Sequence, residues 1–208
     1  MRLFLLAVLL GLAVGYLRGG RARRLASLAP PKRLALLVWA GAALQLAGVT
    51  LPLETAGFDL GLVLVLISYA LAGVFLLGWS IALRRTGRLP RALAWGLALC
   101  AVGWALNTIA IAANGGMPVS REALRAVGRG EADVSGRALS KHVAIGEDTR
   151  LAFLGDVVPT FAEGPVVSLG DLALALGLGT ALCAAMTGRR ETPAESPFGG
   201  SLRPSRQG

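Results

Sequence analysis

One histidine, His142, stands in a polar stretch that also carries Asp148, Asp156, Glu163 and Asp171. A histidine beside a carboxylate is the commonest acid–base pair, so proton-transfer chemistry on a lipid head group or envelope precursor would be placed here. The other parts of a catalytic site are missing from the pattern. The chain has no nucleophile elbow, no His-x-x-x-His zinc spacing and no Gly-rich phosphate loop after a strand. "GED" and "GD" lack the dense oxygen spacing of a calcium loop. A lone histidine in a loop is more often a packing or surface residue than a catalyst. No catalytic residue, metal or cofactor is therefore assigned, and an enzyme is the disfavoured class. What remains is a candidate polar cluster of Asn114, Gly115, Gly116, Pro118, His142, Asp156, Ser168 and Asp171.

Local grammar accounts for much of that cluster. In "NGGMPVS", Asn114 and Gly115 suit a left-handed helix end. Pro118 blocks continuation, and Ser120 is placed to cap a helix through "REALRAVG". Met117 has no such role, and its expected place is the membrane surface. Phe153, Leu154, Val157 and Val158 are too apolar for a solvated linker, which predicts a packed segment with a short helix capped by Thr149. In "SLGD", Ser168 and Asp171 have capping-box spacing at the positive end of a helix dipole.

The elements that must position these residues are membrane helices. Of 208 residues 54% are hydrophobic and 16% charged, more apolar material than one soluble core needs. Charge-free tracts alternate with Arg clusters, as bilayer spans produce. The formal net charge of +9 falls mostly in short loops beside those tracts, where it sets topology and does not point to nucleic acid. Spans are expected at about 3–20, 34–51, 60–83, 92–113 and 168–187, with segment 114–167 outside. The first apolar run, Leu3–Leu17, is roughly 22 Å long at about 1.5 Å per residue and needs Gly19, Gly20 and a snorkelling Arg18 to complete a crossing. A cleaved signal peptide would force the basic residues that follow across the membrane, so a retained helix is preferred. The resulting fold class is an all-α integral bundle of five transmembrane helices, N-terminus outside and C-terminus cytoplasmic. Residues 1–188 form the membrane domain, and 189–208, rich in Pro, Gly and Ser, a disordered tail.

Inside the spans no Asp, Glu, Lys, Arg or His lies at mid-depth, which counts against a coupled pump. Gln45 and Asn107 suit bonds across helices, and Gly11, Gly15, Gly73, Gly96 and Gly103 suit close helix approach in a tight bundle or a homo-oligomer. Cys100 and Cys183 fall in apolar tracts, where thiols behave as small hydrophobes.

The order "YLRGG", "NGGMPVS", His142, Thr149, "LAFLGDVVP" and "VVSLGD" resembles an uncharacterised bacterial family of small multi-pass membrane proteins, a domain of unknown function. The likeness covers nearly the whole chain except the tail. Its motif residues fall on Arg18, Gly19 and Gly20, on Asn114 to Pro118, and on His142, Thr149, Leu154, Gly155, Asp156, Ser168, Gly170 and Asp171. The resemblance implies an architecture in a bacterial plasma membrane and a cluster on the outer face, but no activity. Three functions follow in order: a structural or interaction component with the bilayer and an envelope protein as partners, a transporter or channel subunit, and an enzyme at the outer face. The structural expectation is that "NGGMPVS" and "LGDVVP…SLGD" meet above the helix ends.

Overall fold

The computed structural model describes residues 2–26, 28–50, 54–55, 58–129, 142–161 and 164–187. Glu163 and the tail 189–208 lie outside them. Leaving out two short helices described below, the long elements are α1 (Arg2–Leu17), α3 (Lys32–Thr50), α4 (Leu60–Arg85), α5 (Arg91–Asn114) and α7 (Leu169–Thr187). Four of them, α3, α4, α5 and α7, are long and apolar enough to cross a membrane. The fifth expected span is α1, a shorter apolar helix of 16 residues, because the chain turns at Gly19 with φ +77. Between α1 and α3 lies α2 (Arg23–Ala26).

Small residues decide how these helices pack. α3 lies antiparallel on α4, with Gly48 against Gly61 and Gly41 against Ser68; α5 lies antiparallel on α7, with Gly96 against Ala181. α1 runs parallel to α7, Gly11 facing Gly179 and Gly15 facing Met186. A methyl group on Gly11 would sit 2.6 Å from the Gly179 carbonyl oxygen, so only glycine permits this approach. The Gly11 and Gly15 stripe is thus occupied within the chain by α7. The seam between α4 and α5 is built differently, with the Trp104 ring resting on Gly73.

The bundle has two unlike ends. At one, the arginine end, Leu83, Leu93, Leu97, Ala181 and Ala184 form a buried cluster with Leu28, Trp79 and Leu89 packed on it. At the other, the segment between α5 and α7 folds into a cap. Three short strand pairs enter a chain expected to be all-α: β1 (Glu54–Thr55) with β2 (Phe58–Asp59) before α4, β3 (Met117–Val119) with β4 (His142–Ala144), and β5 (Val158–Pro159) with β6 (Val166–Val167). The reason is backbone accounting. Once the chain leaves α5, its peptide groups lack helical partners, and the β3–β4 and β5–β6 ladders supply them.

Among the described residues the cap contains the α-helix α6 (Arg121–Ala126), capped as expected by Ser120, whose Oγ accepts from Ala123 N at 3.2 Å. Val119, Ala123, Leu124, Val127 and Val166 give it a small core of its own. The helix expected after Thr149 is instead a single 3-10 turn, Ala152–Leu154, and the Thr149 hydroxyl accepts from Gly146 N in the preceding turn. Met117, expected on the membrane surface, is buried with Val65, Ala110, Ile111 and Leu154 where the cap meets α4 and α5. Burying such a side chain is worth roughly 1.5–3 kcal/mol against water, so Met117 and Leu154 plug the cap onto the bundle.

Candidate functional site at the cap end

Three junctions hold the cap, and each is made by a polar residue of the expected cluster. The first is Asn114, the last residue of α5. Its Nδ2 donates to Ala110 O at 2.9 Å and to Arg150 O at 2.8 Å, while its Oδ1 accepts from Arg150 N at 2.8 Å. A side-chain amide carries donor and acceptor together, as a peptide does, so it can clasp both backbone groups of one residue. Gly115, at φ 70, turns the chain out of the helix, and Gly116 is buried just after it. Beyond the clasp comes Leu151 at φ 51, the one non-glycine with positive φ among the described residues.

The second junction is Asp156. Its N donates to Pro118 O at 2.7 Å and its O accepts from Ser120 N at 3.0 Å, so β3 is flanked by β4 on one side and by this residue on the other. Gly155 lies under Pro118, where any Cβ would overlap the Pro118 carbonyl. Proline suits β3 because its φ is already extended. The Asp156 side chain points inward, with Oδ2 3.4 Å from His142 Nε2 and both side chains 6% exposed.

Ser168 and Asp171, at the start of α7, make the third. Asp171 N donates to Ser168 Oγ at 2.9 Å, the serine half of the expected capping box. The Asp171 carboxylate accepts from Asn107 Nδ2 at 2.8 Å, and Ser168 Oγ donates to Asn107 Oδ1 at 2.9 Å. Asn107 on α5 therefore cross-links two residues of α7 and uses both ends of its amide. Gly170 makes this possible: a Cβ there would overlap the Asn107 side chain. The carboxylates of Asp156 and Asp171 and the phenol of Tyr69 on α4 are close enough to interact electrostatically.

The expected meeting of "NGGMPVS" with "LGDVVP…SLGD" thus takes place through Pro118 and Asp156. Asn114 does not join that meeting and instead holds Arg150. Of the acids weighed as partners for His142, Asp156 is adjacent and Asp148 is exposed. Tyr69 was absent from the expected cluster; its only signal was a phenol in an otherwise apolar tract. The cross-helix bond expected of Asn107 is made to the site itself, to Ser168 and Asp171.

A family model described as a family of unknown function (DUF5317) matches residues 33–183. The chain belongs to that family. No curated protein and no solved structure matches it. The DUF5317 match takes in the whole cap and all three junctions, while α1, α2 and Arg18 to Gly20 precede it.

Chemically, this DUF5317 chain spends the buried polar atoms of Asn107, Ser168 and Asp171 on one another. The Ser168 hydroxyl donates to one partner and accepts from another, so it is not poised as a nucleophile. Among the described residues no group of three His, Cys, Asp or Glu side chains is placed to hold a metal ion. Hydrogen bonds to a carboxylate in a low-dielectric interior are worth more than neutral ones, so these residues make strong fasteners.

Proposed function

We propose that this protein is an interaction component of a bacterial cell envelope, an integral plasma-membrane bundle whose cap faces outside and docks another envelope protein. The supporting observation is the tip that Asn114 holds. A leucine in the left-handed region costs roughly 1–2 kcal/mol and persists only where its surroundings impose it. The clasp on Arg150 supplies that constraint, and the result is an exposed apolar tip in which Leu151 is 42% and Phe153 62% exposed. Phe161, 53% exposed, adds a second aromatic on the cap. A rigid cap with protruding aromatics is what a protein interface uses as anchors.

The bilayer reading extends to α1. The parallel packing of α1 on α7 in glycine contact supports a reading in which α1 is a fifth span with its N-terminus outside. Arginines at the opposite end place that end in the cytoplasm by the positive-inside rule. Segment 114–167 is then the outer domain.

The test is photo-crosslinking in living cells from a benzophenone residue placed at Phe153 or Phe161. Both positions are expected to capture the same protein, and Asn114→Ala is expected to abolish capture while the bundle stays folded. Lipid adducts alone, or capture that is indifferent to Asn114, would refute the docking role. A second reading, a transporter or channel subunit, is favoured by the polar line from Asp156 through Asp171, Asn107 and Tyr69 into the helix ends. Under it, Asp171→Asn would change solute or ion flux in proteoliposomes and leave crosslinking intact.

A further inference from the structure

The arginine end brings together basic residues that are far apart in sequence. α2 and the turn after it are tied to two other elements: Trp79 Nε1 on α4 donates to Leu28 O at 3.0 Å, and Met186 O at the end of α7 accepts from Arg21 N at 3.2 Å and from Arg24 Nη1 at 3.0 Å. Leu28 packs on the same apolar cluster as Leu83, Leu89 and Leu93, so the α2 region and the α4–α5 turn close over one core. Arg21 and Arg23 of the α2 region and Arg84, Arg85, Arg88 and Arg91 around the α4–α5 turn are all exposed at this end. Every Asp and Glu among the described residues lies at the cap end or in it.

Aromatic side chains mark how deep this end sits. Trp95, 70% exposed, is one turn past Arg91, and Trp39, 74% exposed, is two turns into α3. Such residues prefer the glycerol and head-group level of a bilayer. The arginines therefore lie at the plane of lipid phosphates, where a guanidinium binds a phosphate through two parallel N–H bonds.

We propose that the arginine end is a binding surface for anionic phospholipid head groups, formed jointly by Arg21 and Arg23 from the α2 region and Arg84 and Arg85 from the end of α4. Two segments of like charge held over one apolar core repel each other, and a lipid phosphate between them relieves that repulsion. Anionic lipid thus binds the folded end and strengthens the attachment of the turn after α2 to α4. The surface is independent of the cap and of whatever the cap docks.

The test uses the full chain purified in an uncharged detergent, with native mass spectrometry and thermal unfolding as readouts. Phosphatidylglycerol is expected to be retained and to raise the Tm, and phosphatidylcholine is not. The double variants R21Q/R23Q and R84Q/R85Q are each expected to weaken phosphatidylglycerol binding by about tenfold or more. The cap variant R121Q/R125Q, with the same charge change, is expected to leave binding intact. Unfolding without lipid checks that each variant is folded. Equal retention of the two lipids, or equal losses from cap and arginine-end variants, would overturn the proposal. Inorganic phosphate matching the effect of phosphatidylglycerol would overturn the lipid assignment.

Discussion

The two ends of the bundle solve the same problem with different chemistry. At the cap end the chain makes a long excursion held by side chains and backbone together: Asn107 bonds the side chains of Ser168 and Asp171, Asn114 clasps the Arg150 backbone, and the Asp156 backbone pairs with Pro118 and Ser120. At the arginine end the α4–α5 connection is a short turn that satisfies itself, with Thr86 N donating to Ala82 O and Arg88 N to Leu83 O, so leucines and alanines fill the space. Polar burial follows from how much irregular backbone an end must enclose, since every such N–H and C=O needs a partner. An apolar end tolerates change by repacking, whereas a polar end leaves a donor or acceptor stranded.

The strongest way to break the contrast is at Gly170. Gly170→Val would drive a side chain into Asn107 and is expected to cost about 4 kcal/mol or prevent folding, measured by denaturant unfolding in micelles. At Gly19, where nothing lies within 4 Å, Gly19→Ala is expected to cost only about 1 kcal/mol, through its positive φ alone. Similar losses at the two sites would remove the distinction between a packed and a merely bent glycine.

Next in size is Asn107→Leu, which strands the Asp171 carboxylate and the Ser168 hydroxyl and should cost about 3 kcal/mol. Its counterpart, Leu93→Val in the arginine-end cluster, should cost about 1 kcal/mol. Removing the Asn114 clasp by Asn114→Ala should lower global stability by about 1 kcal/mol. Hydrogen exchange should rise selectively at residues 146–155, and uniform exchange would show that the clasp does not govern the tip. The smallest effect is expected for Trp79→Phe, which loses one hydrogen bond to Leu28 O, about 1 kcal/mol or less, and loosens the α2 region without touching the cap.

Much of this molecule was legible in its residues. Apolar tracts between arginine clusters specify helices and their ends, because a bilayer span needs a fixed length and excludes charge. The start of α4 at Leu60 and of α6 after Ser120, the left-handed Gly115, and the Ser168–Asp171 box all follow from capping rules that act within a few residues. Met117 was illegible because a methionine has no local signature and its pocket is assembled from α4, α5 and the 3-10 turn. For Thr149 the local signal misled: its hydroxyl caps a turn just as well as a helix. The β3–β4 pair was hidden too, since its partners lie about 25 residues apart and neither half alternates long enough to declare itself.

The sequence by itself determined where helices begin and end, which side of the bundle gathers positive charge, and which short motifs are polar. These depend on neighbours along the chain and on the solvent. Only the tertiary structure decided that Asn107 would serve Asp171, that Asn114 would hold Arg150 and leave Asp156 to Pro118, and that two arginine segments would close over one core. Such pairings are set by where glycines let helices touch, a property of surfaces that meet across the fold.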